Sequence, residues 1–242
     1  MTTWWPIARL VAAALILAAI LAQLQRTLEI ALRAETPWAS HLPTVITNFF
    51  SFFTILSNLS AVLALFIAVV WAWTAGRDAV AEPRWLAMLL VCASTYMIIT
   101  GVVYNTLLRG IELPQGQTVP WSNEVLHLIG PLFLLLDVLV APRRRALPWA
   151  TVLAAAVFPI VWAVYTLVRA NMIVSPGTGN PYWYPYPFLD PHQPGGYAIV
   201  AVYVVGIAAV IIGVSAAVVW AGRRRAQRVG DVDEPLALVD RE

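Results

Sequence analysis

Long apolar stretches separated by short polar ones run through this chain from one end to the other. Runs of about 20 apolar residues recur along its length, each long enough to cross a bilayer as a helix. The pattern predicts an all-α membrane protein with six transmembrane helices, near Ile7–Ile30, Asn48–Trp73, Trp85–Leu108, Asn123–Ala141, Pro148–Arg169 and Tyr197–Ala221. Residues 1–221 then make one six-helix domain. The polar segment 222–242 has few large apolar residues to bury and is expected to be a disordered tail. No internal repeat and no Gly-rich phosphate loop breaks this plan.

Composition agrees with the pattern. Of 242 residues, 60% are hydrophobic and 12% charged, with a mean hydropathy of +0.76. A soluble domain carries roughly 25% charged residues, so no soluble domain is expected. Every basic residue is an Arg. Arg9, then Arg77 and Arg84, then Arg143, Arg144 and Arg145, then Arg223, Arg224, Arg225 and Arg228 fall on alternate sides of the spans. The positive-inside bias therefore predicts that both termini are cytoplasmic and that the protein is multi-pass in the cell membrane. The Arg runs serve as topology signals and do not form a nucleic-acid patch. The first span resembles a signal-peptide core, but cleavage would leave five spans and upset the charge alternation, so it is expected to be retained. Cys92 is the only cysteine, which excludes an intrachain disulfide and a paired-thiol redox site.

Against this background the stretch Thr47–Phe66, "TNFFSFFTILSNLSAVLALF", stands out. Thr54, Ser57 and Asn58 are spaced i, i+3 and i+4, which puts them on one helix face. At 1.5 Å per residue Thr54 would lie about 8–10 Å below the outer end of the second helix. His127 of the fourth helix reaches about the same level, with Asn123 four residues before it. The third helix brings Tyr104 and Asn105 there, and the first brings Gln23, Arg26 and Glu29. Polar side chains from four helices thus converge on one outer layer. Below it the helices are mainly Ala, Val, Leu and Ile, with Asp137 the chief exception. A Thr in a membrane helix ordinarily bonds its own i−4 carbonyl or a neighbouring helix. Arg26 has an ordinary role snorkelling to the interface, and Ser57 and Asn58 have one as interhelical links. An intramembrane His is harder to dismiss, because ionisable groups there are costly and usually functional.

Three stretches resemble one known family. "FFTILSN" is similar to the motif around the nucleophilic Thr of the androgen-induced and androgen-dependent integral-membrane hydrolases. "NEVLHLIGPLFLLLD" resembles that family's fourth helix, with Asn123 four residues before His127, Pro131 after it, and Asp137 ten on. "YPYPFLD", Tyr184 to Asp190, resembles the segment before its last helix. The order of the motifs and the six-helix plan cover most of the chain, which looks like a bacterial relative. Pro131 sits one residue closer to the His than in the family pattern, and the sequence between motifs is dissimilar.

The resemblance implies a hydrolase acting on lipid esters, since family members split fatty acid esters of hydroxy fatty acids. It makes Thr54 the nucleophile and His127 its base. The chemistry is sound on its own terms, because a Thr hydroxyl needs a base in hydrogen-bond reach and His is suited to lend and return a proton. An acyl-threonine intermediate would follow, then attack by water. With backbone amides consumed in helices, oxyanion donors are expected among Asn58, Asn105 and Asn123. The long loop "NMIVSPGTGNPYWYPYPFLDPHQPGGY" is read either as an aromatic belt with turns or as a lid bringing Asp190 to the site, and Arg26 as a supporting residue. The expected partners are a lipid substrate and the bilayer. Neither a cofactor nor a metal is expected, because no His, Cys or carboxylate set has ligand spacing and His127 is alone in the membrane. A small transporter or channel, or a non-enzymatic scaffold, are the alternative classes.

Overall fold

The computed structural model describes residues 4–111 and 118–233, with side chains up to Gln227. Among them are six helices long and apolar enough to cross a membrane, and no strand. The first is α1 (Trp5–Leu32). The second is preceded by a short α2 (Leu42–Phe49) and runs as α3 (Phe53–Trp73). The third is α4 (Arg84–Val103), extended by a π-helical turn Tyr104–Leu108. The fourth joins α5 (Pro120–Glu124), a second π turn Val125–Ile129 and α6 (Gly130–Val140). The last two are α7 (Thr151–Ala170) and α8 (Gly196–Asp233). Four spans fall where hydropathy places them to within a few residues, and the last begins where expected but runs on past Ala221. The second differs: the helix expected over Asn48–Trp73 is broken at Phe50–Phe52.

The helices associate through small residues. Ala19, Ala61, Ala64 and Ala68 are fully buried where α1, α3 and α4 meet, and a stripe of small side chains lets membrane helices approach closely. Ile16, Leu65, Met97 and Leu134 fill the middle of the bundle.

The end that carries both termini is stitched by charge. Asp137, wholly buried, accepts hydrogen bonds from Trp5 Nε1 (2.7 Å), Arg9 Nε (2.8 Å), Arg9 Nη2 (3.1 Å) and Arg144 Nη2 (2.5 Å). Glu82, equally buried, lies 3.6 Å from Arg9 and 3.9 Å from Arg144. Several arginines of the topology signal therefore also have a structural role. Arg145 donates to the Glu82 carbonyl (2.6 Å), Arg143 to that of Gly76, and Arg223 to that of Leu147 (3.0 Å). The expected tail from residue 222 is helical as far as Asp233. Arg225 ties it down, donating to the carbonyls of Val138 (2.9 Å) and Ala141 (2.6 Å) at the end of α6. Residues 234–242 lie outside the described residues.

Candidate active site at the opposite end

The break before α3 decides where Thr54 sits. Phe52 is extended (φ −69°, ψ 129°), so α3 begins at Phe53 and Thr54 is its second residue. Neighbours satisfy the freed backbone and side chains, as a broken membrane helix requires. Trp162 Nε1 donates to the Ser51 carbonyl (2.9 Å), the Ser51 hydroxyl donates to the Thr47 carbonyl (2.7 Å), and Arg169 donates to Asn48 Oδ1 (2.7 Å). Phe52 packs edge-on against Trp183 and Tyr186, and Phe53 against Trp162. Thr54 therefore lies in the first turn of a helix, where backbone N–H groups are free of helix partners and the dipole favours negative charge. The Thr54 N–H has no helix carbonyl to bond and goes to the Tyr186 hydroxyl at 3.2 Å instead.

Thr54 also departs from a common habit of hydroxyls along these helices and at their ends. Thr27, Thr47, Ser51, Ser60, Thr74 and Thr106 each donate to the carbonyl four residues back, at 2.7–2.9 Å. The Thr54 hydroxyl instead lies 3.2 Å from His127 Nε2 and 3.3 Å from the Tyr186 hydroxyl. His127 Nδ1–H donates to the Asn123 carbonyl at 2.9 Å, which leaves Nε2 as the acceptor of the neutral ring. Tyr104 stacks on the imidazole with centroids 3.8 Å apart, and its own hydroxyl accepts from Asn123 Nδ2 at 2.5 Å. The Tyr186 hydroxyl accepts from the Thr54 N–H at 3.2 Å, so its own proton is free to point at Thr54 Oγ1. Tyr186 is buried, and burial pushes its phenol above the ordinary value, keeping it a neutral donor.

Both π turns lie at this site, a placement typical of functional positions. Pro131 has no N–H, and an α-helix would have sent that donor to the His127 carbonyl. Asn105 Nδ2 donates there instead, at 3.0 Å, and also to the Gly101 carbonyl at 2.8 Å. A side chain on Gly101 would put a Cβ 2.8 Å from Pro131 Cβ, so the close approach of the two helices requires glycine. Asn58, fully buried, donates to the carbonyls of Thr54 (2.8 Å) and Leu126 (3.2 Å). These contacts correct the expected oxyanion donors. The amides of Asn58 and Asn105 hold helix carbonyls and that of Asn123 holds the Tyr104 hydroxyl, so all three brace the Thr54–His127 pair, and of the three only Asn123 also lines the cavity.

Asp190 is a second correction. It accepts from the His192 backbone N–H (2.9 Å) and pairs with His192 Nδ1 (2.8 Å) in its own turn. The loop does reach the site, but through Tyr186, which no motif argument singled out although "YPYPFLD" contains it. Arg26 pairs with Glu29 at 3.7 Å on α1 and does not line the site. Ser57 packs as expected, bonded to the Thr54 carbonyl (3.0 Å) and the Thr100 hydroxyl (2.7 Å).

Two hollows meet here. A cavity of about 990 Å³ extends from Thr54, His127 and Tyr186 past Gln23, Thr27 and Asn48. A groove of about 270 Å³, lined almost wholly by apolar side chains, extends between α7 and α8. Thr54, Tyr104 and Tyr186 border both. Among the described residues no group of three or more His, Cys, Asp or Glu gathers where a metal ion could be held. No family model, no curated protein and no solved structure matches the chain.

Proposed function

We propose that the protein is an intramembrane ester hydrolase acting on acyl lipids, with Thr54 as nucleophile and His127 as general base. One observation carries this reading: the Thr54 hydroxyl turns away from its own helix and sits between a ring nitrogen that can take its proton and a phenol that can donate one. As Oγ1 attacks an ester carbonyl, its proton passes to Nε2, and the Asn123 carbonyl holds the Nδ1–H of the imidazolium. Tyr104 presents its electron-rich face to the ring as the charge develops. Tyr186 donates to the oxyanion, helped by the positive end of α3. Collapse expels the alcohol, which takes the proton from His127 and leaves acyl-threonine. Water then repeats the sequence and releases the acid. The resemblance to the membrane threonine hydrolases points the same way.

A transporter reading draws on the break before α3 and on the charges at the other end. Ile16, Leu65, Met97 and Leu134 stand between the two, fully buried in the apolar core. The charges themselves are ion-paired.

The test is labelling of the purified chain with a fluorophosphonate probe, alongside release of fatty acid from a lipid ester in the presence of a strong chelator. Labelling that is lost in Thr54→Ala, with turnover insensitive to chelation, supports the reading. Full labelling and turnover in Thr54→Ala would overturn it.

A further inference from the structure

We infer that the substrate is an ester of a long acyl chain with an uncharged, hydrogen-bonding alcohol of the glyceride type. This deepens the hydrolase reading and rests on it. The two hollows set the geometry. An ester carbonyl placed at Thr54 has an almost wholly apolar groove on one side and a larger cavity carrying amides and hydroxyls on the other, because Thr54 and Tyr186 border both. The groove follows α7 from Ala156 to Leu167, about 16 Å at 1.5 Å per residue. Ile160, Val164 and Ile212 line it and are exposed on the flank of the bundle, so a chain can slide in from the bilayer. An acyl chain is the part of the ester that this surface suits.

The cavity chooses the alcohol. Its described lining sets uncharged polar groups among apolar ones: Gln23, Thr27, Asn48, Thr118 and Asn123 contribute amides and hydroxyls beside His127, and no charged side chain is among them. Asn48 is oriented by Arg169, which bonds its Oδ1, and its Nδ2 has no partner. Two nearby guanidiniums, those of Arg169 and Arg109, are committed elsewhere. Arg169 faces the rings of Tyr165 and Trp183 besides Asn48, and Arg109 makes a two-pronged pair with Glu124 at 3.0 Å and also holds Asn105. A carboxylate or phosphate in the cavity would surrender its water for amides and hydroxyls alone, which is a poor exchange for a charge. Hydroxyl groups would lose little.

The experiment compares esters that differ only in charge. Purified full-length protein in nanodiscs is given monopalmitoylglycerol, and the palmitoyl ester of a hydroxystearic acid both as free acid and as methyl ester. Palmitate release should be at least about tenfold faster, in kcat/KM, for the two uncharged esters than for the free acid. Equal or faster cleavage of the free acid would overturn the uncharged alcohol and leave the hydrolase standing. Cleavage of none of them, together with absent probe labelling, would remove both readings. The groove has its own test. Ala163 and Ala208 line it, and Ala163→Phe and, separately, Ala208→Phe should lower kcat/KM for palmitoyl esters about tenfold more than for nitrophenyl acetate, whose remaining turnover also reports that the variant is folded. Palmitoyl and acetyl esters affected alike in both variants would place the acyl chain elsewhere.

Discussion

The two ends of the bundle handle buried polar groups in opposite ways. At the terminal end, Trp5, Arg9 and Arg144 converge on the Asp137 carboxylate, with Glu82 beside the two arginines. At the other end, Thr54, His127 and Tyr186 share three contacts of 3.2–3.3 Å and border two hollows. The first arrangement spends its charges on holding α1, α6 and two loops together. The second keeps its groups neutral, leaves them longer bonds, and gives them space. A closed network stabilises against its own disruption, whereas an open one is available to a ligand. The ion-paired network and the open cluster thus lie at opposite ends of the bundle.

The strongest way to break this contrast is at the open end. Thr54→Ala or His127→Ala should reduce ester turnover by about 10³-fold or more, the double variant scarcely further, because groups acting as one unit are non-additive. Thermal unfolding should barely move, and Thr54→Ser should retain part of the activity and the probe labelling. A melting temperature that falls with the activity would make Thr54 a structural residue after all.

At the closed end the same scale of effect should appear in stability. Asp137→Ala strands the guanidiniums of Arg9 and Arg144, and removing one partner of a buried charge network costs about 3–5 kcal/mol. The expected result is poor yield or a large drop in melting temperature, with any folded fraction still labelling at Thr54. Normal stability with lost labelling would reverse the roles assigned to the two ends.

Tyr186→Phe comes next. Losing one oxyanion donor costs about 10²–10³ in kcat, while the ring still packs against Phe52 and Phe188. Steady-state kinetics should show kcat falling with KM little changed. Wild-type kcat would reduce Tyr186 to packing.

The smallest effect belongs to Glu82. Burial pushes its carboxyl above the ordinary value, outweighing the pull of Arg144 and Arg9. The folded state therefore holds the proton more tightly than the unfolded chain, so Glu82's contribution to stability falls as pH rises through that raised value. Glu82→Gln should change stability at neutral pH by no more than about 1 kcal/mol, in the stabilising direction, and flatten this part of the pH profile. Denaturation followed across pH would show it, and a steep loss of stability in the Gln variant would mean that the carboxylate is needed charged.

The candidate site was half legible in the sequence. Thr54 and His127 could be placed at one depth because helical rise and span order fix depth. Asn58, Asn105 and Asn123 lie in the expected layer, but their amides bond helix carbonyls and the Tyr104 hydroxyl. Nothing local says that a π turn and Pro131 would leave helix carbonyls for Asn58 and Asn105 to satisfy. Tyr186 was missed because a loop Tyr beside Pro residues reads as an interface aromatic. The one available signal was that "YPYPFLD" stood among the three resembling segments.

What the sequence determined by itself was the set of six apolar spans, the concentration of polar residues toward one end, and the Arg clusters at alternate boundaries. These follow from hydropathy and a fixed rise per residue, which are local properties. The tertiary structure decided the break before α3, the turning of the Thr54 hydroxyl away from its own helix, and the pairing of Arg9 with Asp137. The partners of Thr54 lie 73 and 132 residues away, and Asp137 lies 128 residues from Arg9. At such separations a side chain's orientation is set by packing and hydrogen-bond satisfaction between helices, and no periodicity along the chain encodes it.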